Sequence, residues 1–316
     1  MLARRTILAA PALLALPAAA QPATLRIIVP APPGGPTDIL ARVVGERMAA
    51  TLSRPVVIDN RAGAGGVIGT EAAARSAADG NTLVLGHNQT HASNQWMMPR
   101  LPYHVRDSFV AVARLASVHH CLVVPGSSPF ATLADLIAAG RQRELAYASS
   151  QAGSASHVIS ETLVRRNGMR AMHVPYNGAA PAATATVAGQ VDFYTSTFPT
   201  VAGLLREGRL RGLAVGAPAR LPDFPAIPTA AEAGQPEPFV DAWFGLFAPA
   251  GTPAAAVAAL AEAALAALRE EAAAERLRNA GFTLTPQGPA EFAAFQESEI
   301  ARWQEMIRLT GVRLES

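Results

Sequence analysis

The chain contains no lysine: all 26 of its basic residues are arginine. That absence removes Schiff-base chemistry, the attachment point for pyridoxal phosphate and the phosphate-binding lysine of a P-loop. Cysteine is almost as scarce. Cys121 stands alone, so no intramolecular disulfide can form, and no thiolate cluster is available to a structural metal. Charged residues of both signs make up only 16% of the chain. Beyond the first residues no segment reaches the ~18 uninterrupted apolar residues of a membrane span. The nearest, Ala254 to Leu268, is alanine-rich and broken by Glu262, and it reads as a helix outside the membrane.

What is present begins with a leader. Arg4-Arg5 precede an apolar run from Ile7 to Leu16, and Ala18-Ala19-Ala20 offers small residues for cleavage before Gln21. This pattern predicts a secretory signal peptide over residues 1–20, and hence a periplasmic protein. The paired arginines suit Sec or twin-arginine export. Cleavage removes two arginines and leaves 24 against 24 Asp+Glu. A formally neutral chain presents no clustered basic face for nucleic acid.

The rest alternates short apolar runs with amphipathic stretches. Leu25 to Val29, Val56 to Ile58 and Thr82 to Leu85 read as strands, with Asp38 to Leu52 and Gly69 to Ala77 as helices between and after the first two. Further strands fall at Ala111–Leu115 and Val118–Val124, with a break near Ser117. The grammar then repeats through Leu145–Ala148, "MHVPYNGAAPA", "GQVDFYTSTFP", "LRGLAVGAP" and "AWFGLFAPAGTP" to a final helix, Pro289 to Leu309. Such alternation predicts βα units on parallel sheets, arranged as two α/β lobes. Ligands on such sheets bind beyond the carboxyl ends of the strands. There the sequence places "PAPPGGPTD", "DNRAGAGG" and "GHNQTHASN".

No catalytic constellation accompanies these turns. "GAGGVIG" lacks the G-x-G-x-x-G spacing and the ribose-binding acid of a dinucleotide site. Ser154 and His157 lack a G-x-S-x-G elbow, so a secreted serine hydrolase is the weakest alternative. His87 and His91 lie in a segment that reads as loop, and His119-His120-Cys121 as strand. The histidines therefore read as structural, with no metal or other cofactor expected. Anion binding fits better. Gly34-Gly35 before Pro36, Gly153-Ser154, and Gly178 to Pro181 each stand where a helix N-terminus follows a strand. Asn88, Thr90, Ser149 and Ser154 add neutral hydrogen-bonding groups. A small carboxylate suits this inventory better than phosphate.

The stretches "RIIVPAPPGGPTDILAR", "VVIDNRAGAGGVIGTEAAARSAADGNTLVLG", "THASN", "LPYHVRDSF", "YASSQAGSASH", "VPYNGAAPA", "GQVDF", "LPDFPAIPTAAEAG" and "WFGLFAPAGTP" occur in an order that resembles the Bug-type solute-binding proteins of tripartite tricarboxylate transporters. The resemblance implies a non-catalytic receptor with a type II periplasmic-binding-protein fold: two α/β lobes around a ligand cleft. Residues 21–120 would begin lobe 1, residues 121–239 form lobe 2, and residues 240–316 return to lobe 1 and its C-terminal helices. The implied ligand is a carboxylated organic molecule held largely by main-chain amides and water. The implied partners are the transporter's membrane subunits, and the receptor itself is expected to be monomeric and not membrane-inserted. Delivery of the bound state to a two-component sensor is the alternative partnership.

By the same resemblance the first ligand loop matches Ala31, Pro33, Gly34 and Gly35, and the second Ala64, Gly65 and Gly66. The third contains Asn88 and Thr90. In the second lobe the ligand-facing turn matches Ser149, Gln151, Gly153 and Ser154, while His157, Tyr176 and Asp192 match recurring positions. Two residues depart from the family's usual pattern: Ala31 stands where phenylalanine is common, and Gln151 where glycine is common. The lost ring is expected to open the cleft beside residue 31.

Overall fold

A computed structural model describes residues 23–236 and 239–314. The expected leader, residues 1–20, lies outside the described residues. The chain begins with β1 (Leu25–Val29), α1 (Pro36–Leu52), β2 (Val56–Asn60), α2 (Val67–Ala74), β3 (Thr82–His87), α3 (Asn94–Met97) and β4 (Phe109–Val118). It continues through β5 (His120–Pro125), α4 (Leu133–Gln142), β6 (Glu144–Ser149), α5 (Ala155–Arg166), β7 (Arg170–Pro175), α6 (Ala179–Val187), β8 (Phe193–Thr197), α7 (Phe198–Arg206) and β9 (Leu210–Val215). It ends with β10 (Ala242–Pro249), α8 (Ala254–Arg269), α9 (Glu271–Asn279), β11 (Thr283–Gln287) and α10 (Pro289–Thr310).

The strands form two sheets. One has six strands in the order β11-β4-β10-β3-β1-β2, the other five in the order β7-β6-β8-β5-β9. β1 reads LRIIV and buries every residue but Arg26 to below a tenth of its surface. That near-continuous apolar run is what a central strand covered on both faces requires. β1 pairs in parallel with β2 and β3, and β6 pairs in parallel with β7 and β8.

The expectation of parallel sheets needs correction: both are mixed. β10 runs antiparallel to β3 and β4, and β5 runs antiparallel to β8 and β9. The reason is geometric. β5 and β10 each arrive from the other sheet, so each starts where the strands beside it end. Register shows this directly, with Phe244 opposite His87 and His120 opposite Thr197.

The crossings lie side by side and are tied by two histidines. His119, the single residue between β4 and β5, lies 2.8 Å from an Asp241 carboxylate oxygen through Nδ1. His120 donates from Nδ1 to the Val240 carbonyl at 2.7 Å. The strand break thus falls at His119 rather than near Ser117. A second correction concerns residues 89–97. They are helical, a single wide π-type turn over Gln89–Ser93 leading into α3, and not a loop. The stretch Gly178 to Pro181, where the sequence suits Pro181 to the first helical position, does open a helix, but α6 starts two residues earlier at Ala179.

The largest buried cluster joins the two sheets, running from Ile28 and Val84 to Leu122, Tyr147 and Phe193. α10 closes it with Phe292, Ile300, Trp303 and Ile307. Phe292 sits against Gly245, where a β-carbon would come within 2.2 Å of the ring. Only glycine on β10 lets the helix approach so closely. No helix among the described residues is long and apolar enough to cross a membrane.

Candidate functional site

Between the sheets lies a cavity of about 200 Å³. It gathers strand ends and helix starts. His87 and Asn88 come from the end of β3, His120 from the start of β5, Ala242 and Phe244 from the start of β10, and Thr197 from the end of β8. Thr37 belongs to the first turn of α1, Ala155 and Ser156 to that of α5, and Ala179 opens α6. α7 begins immediately after Thr197. Four helices of nine residues or more therefore direct N-terminal ends at one space. The unpaired N–H groups and positive dipole ends there favour an anion.

No Asp, Glu or Arg lines this cavity. Burial lowers the pKa of His87 to about 4, against an opposing contact from Asn88. Burial also lowers that of His120, outweighing its bond to Val240. Both imidazoles are neutral at neutral pH. Two amide donors are buried without a protein partner, Asn88 Nδ2 and Gln89 Nε2. Their residues are 3% and 7% exposed. Leaving such groups unpaired costs about 1–3 kcal/mol each, and both residues line the cavity.

Of the residues named from sequence, Asn88 and Ser154 line this cavity. Gln151 bridges it, donating from Nε2 to Gln89 Oε1 at 3.3 Å across the cleft. Ser154 caps α5, accepting from the His157 N–H at 3.4 Å. Its hydroxyl donates to the Gln151 carbonyl at 2.7 Å. The His157 ring accepts from the Gly153 N–H through Nδ1 at 3.0 Å and stacks on His173 with centroids 3.7 Å apart. The Ser154 and His157 side chains thus face different partners and do not form a hydrolase pair.

The opening turn behaves differently from the expectation. The Gly34 N–H already donates to Asp38 Oδ2 at 2.9 Å. Asp38 also accepts from Arg42 at 2.9 Å and Asn60 at 3.0 Å. Burial pushes the Asp38 carboxyl upward, but these hydrogen bonds outweigh it and hold the group below its usual range. The turn's anion is its own carboxylate, so Gly34 is not a free donor. Ala31 packs against the core beside β1 rather than lining the cavity, and its carbonyl accepts from Asn60 at 3.2 Å. Pro33 and Gly35 lie outside the cavity lining too, although Thr37 two residues on belongs to it.

Ala64, Gly65 and Gly66 form a tight turn with positive φ throughout, packed on Gln89, Thr90 and Asn94. At Gly66 a β-carbon would lie 2.5 Å from the Thr90 methyl. Thr90 is fully buried, with its hydroxyl bonded to the backbone of His87 and close to His91. Ser149, also fully buried, donates to the Gln151 carbonyl and meets His173 Nε2 at 2.6 Å. Gly153 is covered by Leu314. These residues shape the loops from behind. Tyr176 and Asp192 lie elsewhere. Tyr176 borders an outer groove with Ala180 and Thr184. Asp192 binds Arg143 and the Ala146 N–H, both within 2.9 Å.

Thr37, His87, Gln89, His120, Ser150, Ala155, Ser156, Tyr194, Thr197, Ala242 and Phe244 also line the cavity and were not expected in the site from sequence. His87 and Gln89 flank Asn88 in a turn already marked, so position after a strand was signal enough. His120 and Phe244 carry no such signal, because they open crossing strands. Among the described residues no group of histidine, cysteine or acid side chains is placed to hold a metal.

Two mixed sheets around a polar, charge-free cavity with converging helix N-termini define a two-lobed solute-binding receptor. Residues 40–312 match the family described as the tripartite tricarboxylate transporter family receptor, and the chain belongs to that family. Its members are solute-binding receptors, not enzymes. BugT of Bordetella pertussis is 38% identical over 92% of this chain and 90% of its own. The R. palustris protein Rpa4515, solved with adipate, superposes with a TM-score of 0.83 at 34% identity, covering 92% of this chain and 98% of its own. MatC of Rhodopseudomonas palustris, solved with malate, gives 0.78 at 34% identity, covering 90% and 98%.

Proposed function

We propose that this protein is exported, captures a small carboxylated organic molecule between its lobes, and presents the closed form to membrane subunits of a tripartite tricarboxylate-type transporter. In this reading the six-stranded sheet with its helices is one lobe and the five-stranded sheet the other, with residues 1–20 acting as a cleaved export signal. The observation that carries the reading is the pairing of two unsatisfied buried amides, Asn88 Nδ2 and Gln89 Nε2, with four helix N-termini around a cavity without charged side chains. An anion supplies a charge for those dipoles, and acceptors for those donors once lobe closure brings the amides onto it. The adipate and malate bound by similar proteins support the same ligand class. Contact with both walls favours the approach of the lobes.

Isothermal calorimetry against a panel of C4–C8 mono- and dicarboxylates tests the ligand class. Saturable one-site binding of at least one acid is expected, with neutral analogues such as the corresponding diamides silent. Silence of the whole acid panel would remove the proposal.

A further inference from the structure

We infer that the solute of this cleft carries a hydroxyl beside its carboxylate, and that His120 recognises it as a hydrogen-bond acceptor. The inference rests on the carboxylate reading and makes it narrower. His120 is 2% exposed and lines the cavity. Its Nδ1 lies 2.7 Å from the Val240 carbonyl. A carbonyl only accepts, so the ring proton sits on Nδ1. The neutral ring then presents a bare lone pair at Nε2, which bonds no described protein group. His87 has the opposite arrangement. Its Nδ1 accepts from the Gln89 N–H at 3.3 Å, which leaves the proton on Nε2. The two imidazoles of one cavity therefore offer one donor and one acceptor.

The Thr37, Ser150, Tyr194 and Thr197 hydroxyls of the lining can turn to donate or accept, whereas His120 Nε2 can only accept. Asn88 Nδ2 and Gln89 Nε2 are donors without a protein partner, and the first N–H groups of a helix are donors as well. The Ser154 hydroxyl is committed to the Gln151 carbonyl, and Ser156 Oγ accepts from the Ser150 N–H at 3.0 Å. A plain dicarboxylate brings acceptors only, and a carboxylate facing His120 Nε2 would set lone pair against lone pair. A hydroxyl on the carbon chain satisfies that nitrogen while the carboxylate takes the donors. An ammonium group would also donate, but it would place a cation among four positive helix ends with no acid side chain to balance it.

The test is calorimetry of the purified full chain with matched acids: succinate, malate and aspartate, then glutarate, 2-hydroxyglutarate and glutamate. The hydroxy acid is expected to bind about tenfold or more tighter than both partners in at least one series, as buried polar groups discriminate against analogues that leave them unpaired. His120→Phe, checked for folding by near-UV circular dichroism, is expected to bring the hydroxy acid to the level of its deoxy partner. Equal affinity within each wild-type series would overturn the inference while leaving a carboxylate receptor. A folded His120→Phe that keeps the preference would overturn the role of His120. Failure of all six acids to bind would count against both readings. The wild-type series decides the ligand chemistry even if the variant does not fold.

Discussion

The two walls of the cleft are built on the same plan, strand then helix N-terminus, but they dispose of their polar groups differently. On the first wall the Gly34 turn is closed by Asp38, while Asn88 and Gln89 keep donors with no protein partner. On the second wall the polar atoms are largely bonded to each other. Ser150, Ser154 and Ser156 form a chain of contacts of 2.9–3.2 Å, and Ser154 closes back on the Gln151 carbonyl. A self-bonded wall is rigid before the ligand arrives. An unsatisfied one gains most when it does, because its donors exchange an unfavourable state for charge-assisted bonds. The comparison assigns preorganisation to the serine turn of the second wall and donor-based affinity to the first, with His120 Nε2 the acceptor that the second wall keeps for the ligand.

Acid should give the largest effect, since each wall contains a histidine kept neutral. Burial lowers His87 to about 4 on the first wall. On the second, burial followed by repulsion from His173 lowers His157 to about 3. Both folded-state pKa values lie below the unfolded value near 6.5. Stability is therefore undiminished above about pH 6.5 and declines as pH falls from there to about 4 for His87 and about 3 for His157, the window in which the unfolded chain binds protons that the folded chain excludes. Melting temperature is expected to drop by roughly 10 °C across that window. His157→Gln should flatten the lower part of the curve more than His87→Gln, and an unchanged curve in both would show that neither imidazole is held neutral.

Asp38→Ala should follow in size. It strips partners from Gly34, Arg42 and Asn60, and is expected to lower stability by about 2–3 kcal/mol in urea titration. Affinity for a bound acid should change far less, because the turn serves the lobe rather than the ligand. A large affinity loss at unchanged stability would reverse that assignment.

Asn88→Ala probes the unsatisfied wall. Binding of a carboxylate identified in the panel should weaken by about 1.5–3 kcal/mol, the range for a hydrogen bond to a charged group. The unliganded protein should not lose that amount, since the deleted amide had an unsatisfied donor. Ser156→Ala is the counterpart on the self-bonded wall. It is expected to cost about 1 kcal/mol of stability through the Ser150 N–H and to alter affinity less than Asn88→Ala. If the two variants exchanged these signatures, the contrast between the walls would fail.

The smallest change is expected from Asp192→Asn, far from the cavity. The exposed side of its contact with Arg143 contributes little, and the loss should stay near 1 kcal/mol or below, with calorimetry unchanged.

Much of this molecule follows from local sequence. The apolar runs at Leu25–Val29 and Thr82–Leu85 could be little but buried strands. Pro36 after two glycines set the start of α1, and Gly153-Ser154 was legible as the place where a helix opens, because both signals lie in the turn itself. Those signals are local in the chain, as are the chemical exclusions that follow from having no lysine and one cysteine. The order of the quoted stretches also carried the family, since it depends on residues alone.

Tertiary structure decided how the polar atoms are used. Asp38 lies four residues from Gly34, yet whether it or a ligand takes that N–H depends on how Arg42 and Asn60 hold the carboxylate. His120 reads as an ordinary strand residue until Val240, 120 positions away, fixes its proton on Nδ1. β10 could not be known to run antiparallel between β3 and β4 before its route from the second sheet was seen. Sequence determines which groups are available to donate or accept. Which of them remain unpaired after folding depends on long-range contacts, and those unpaired groups make the site.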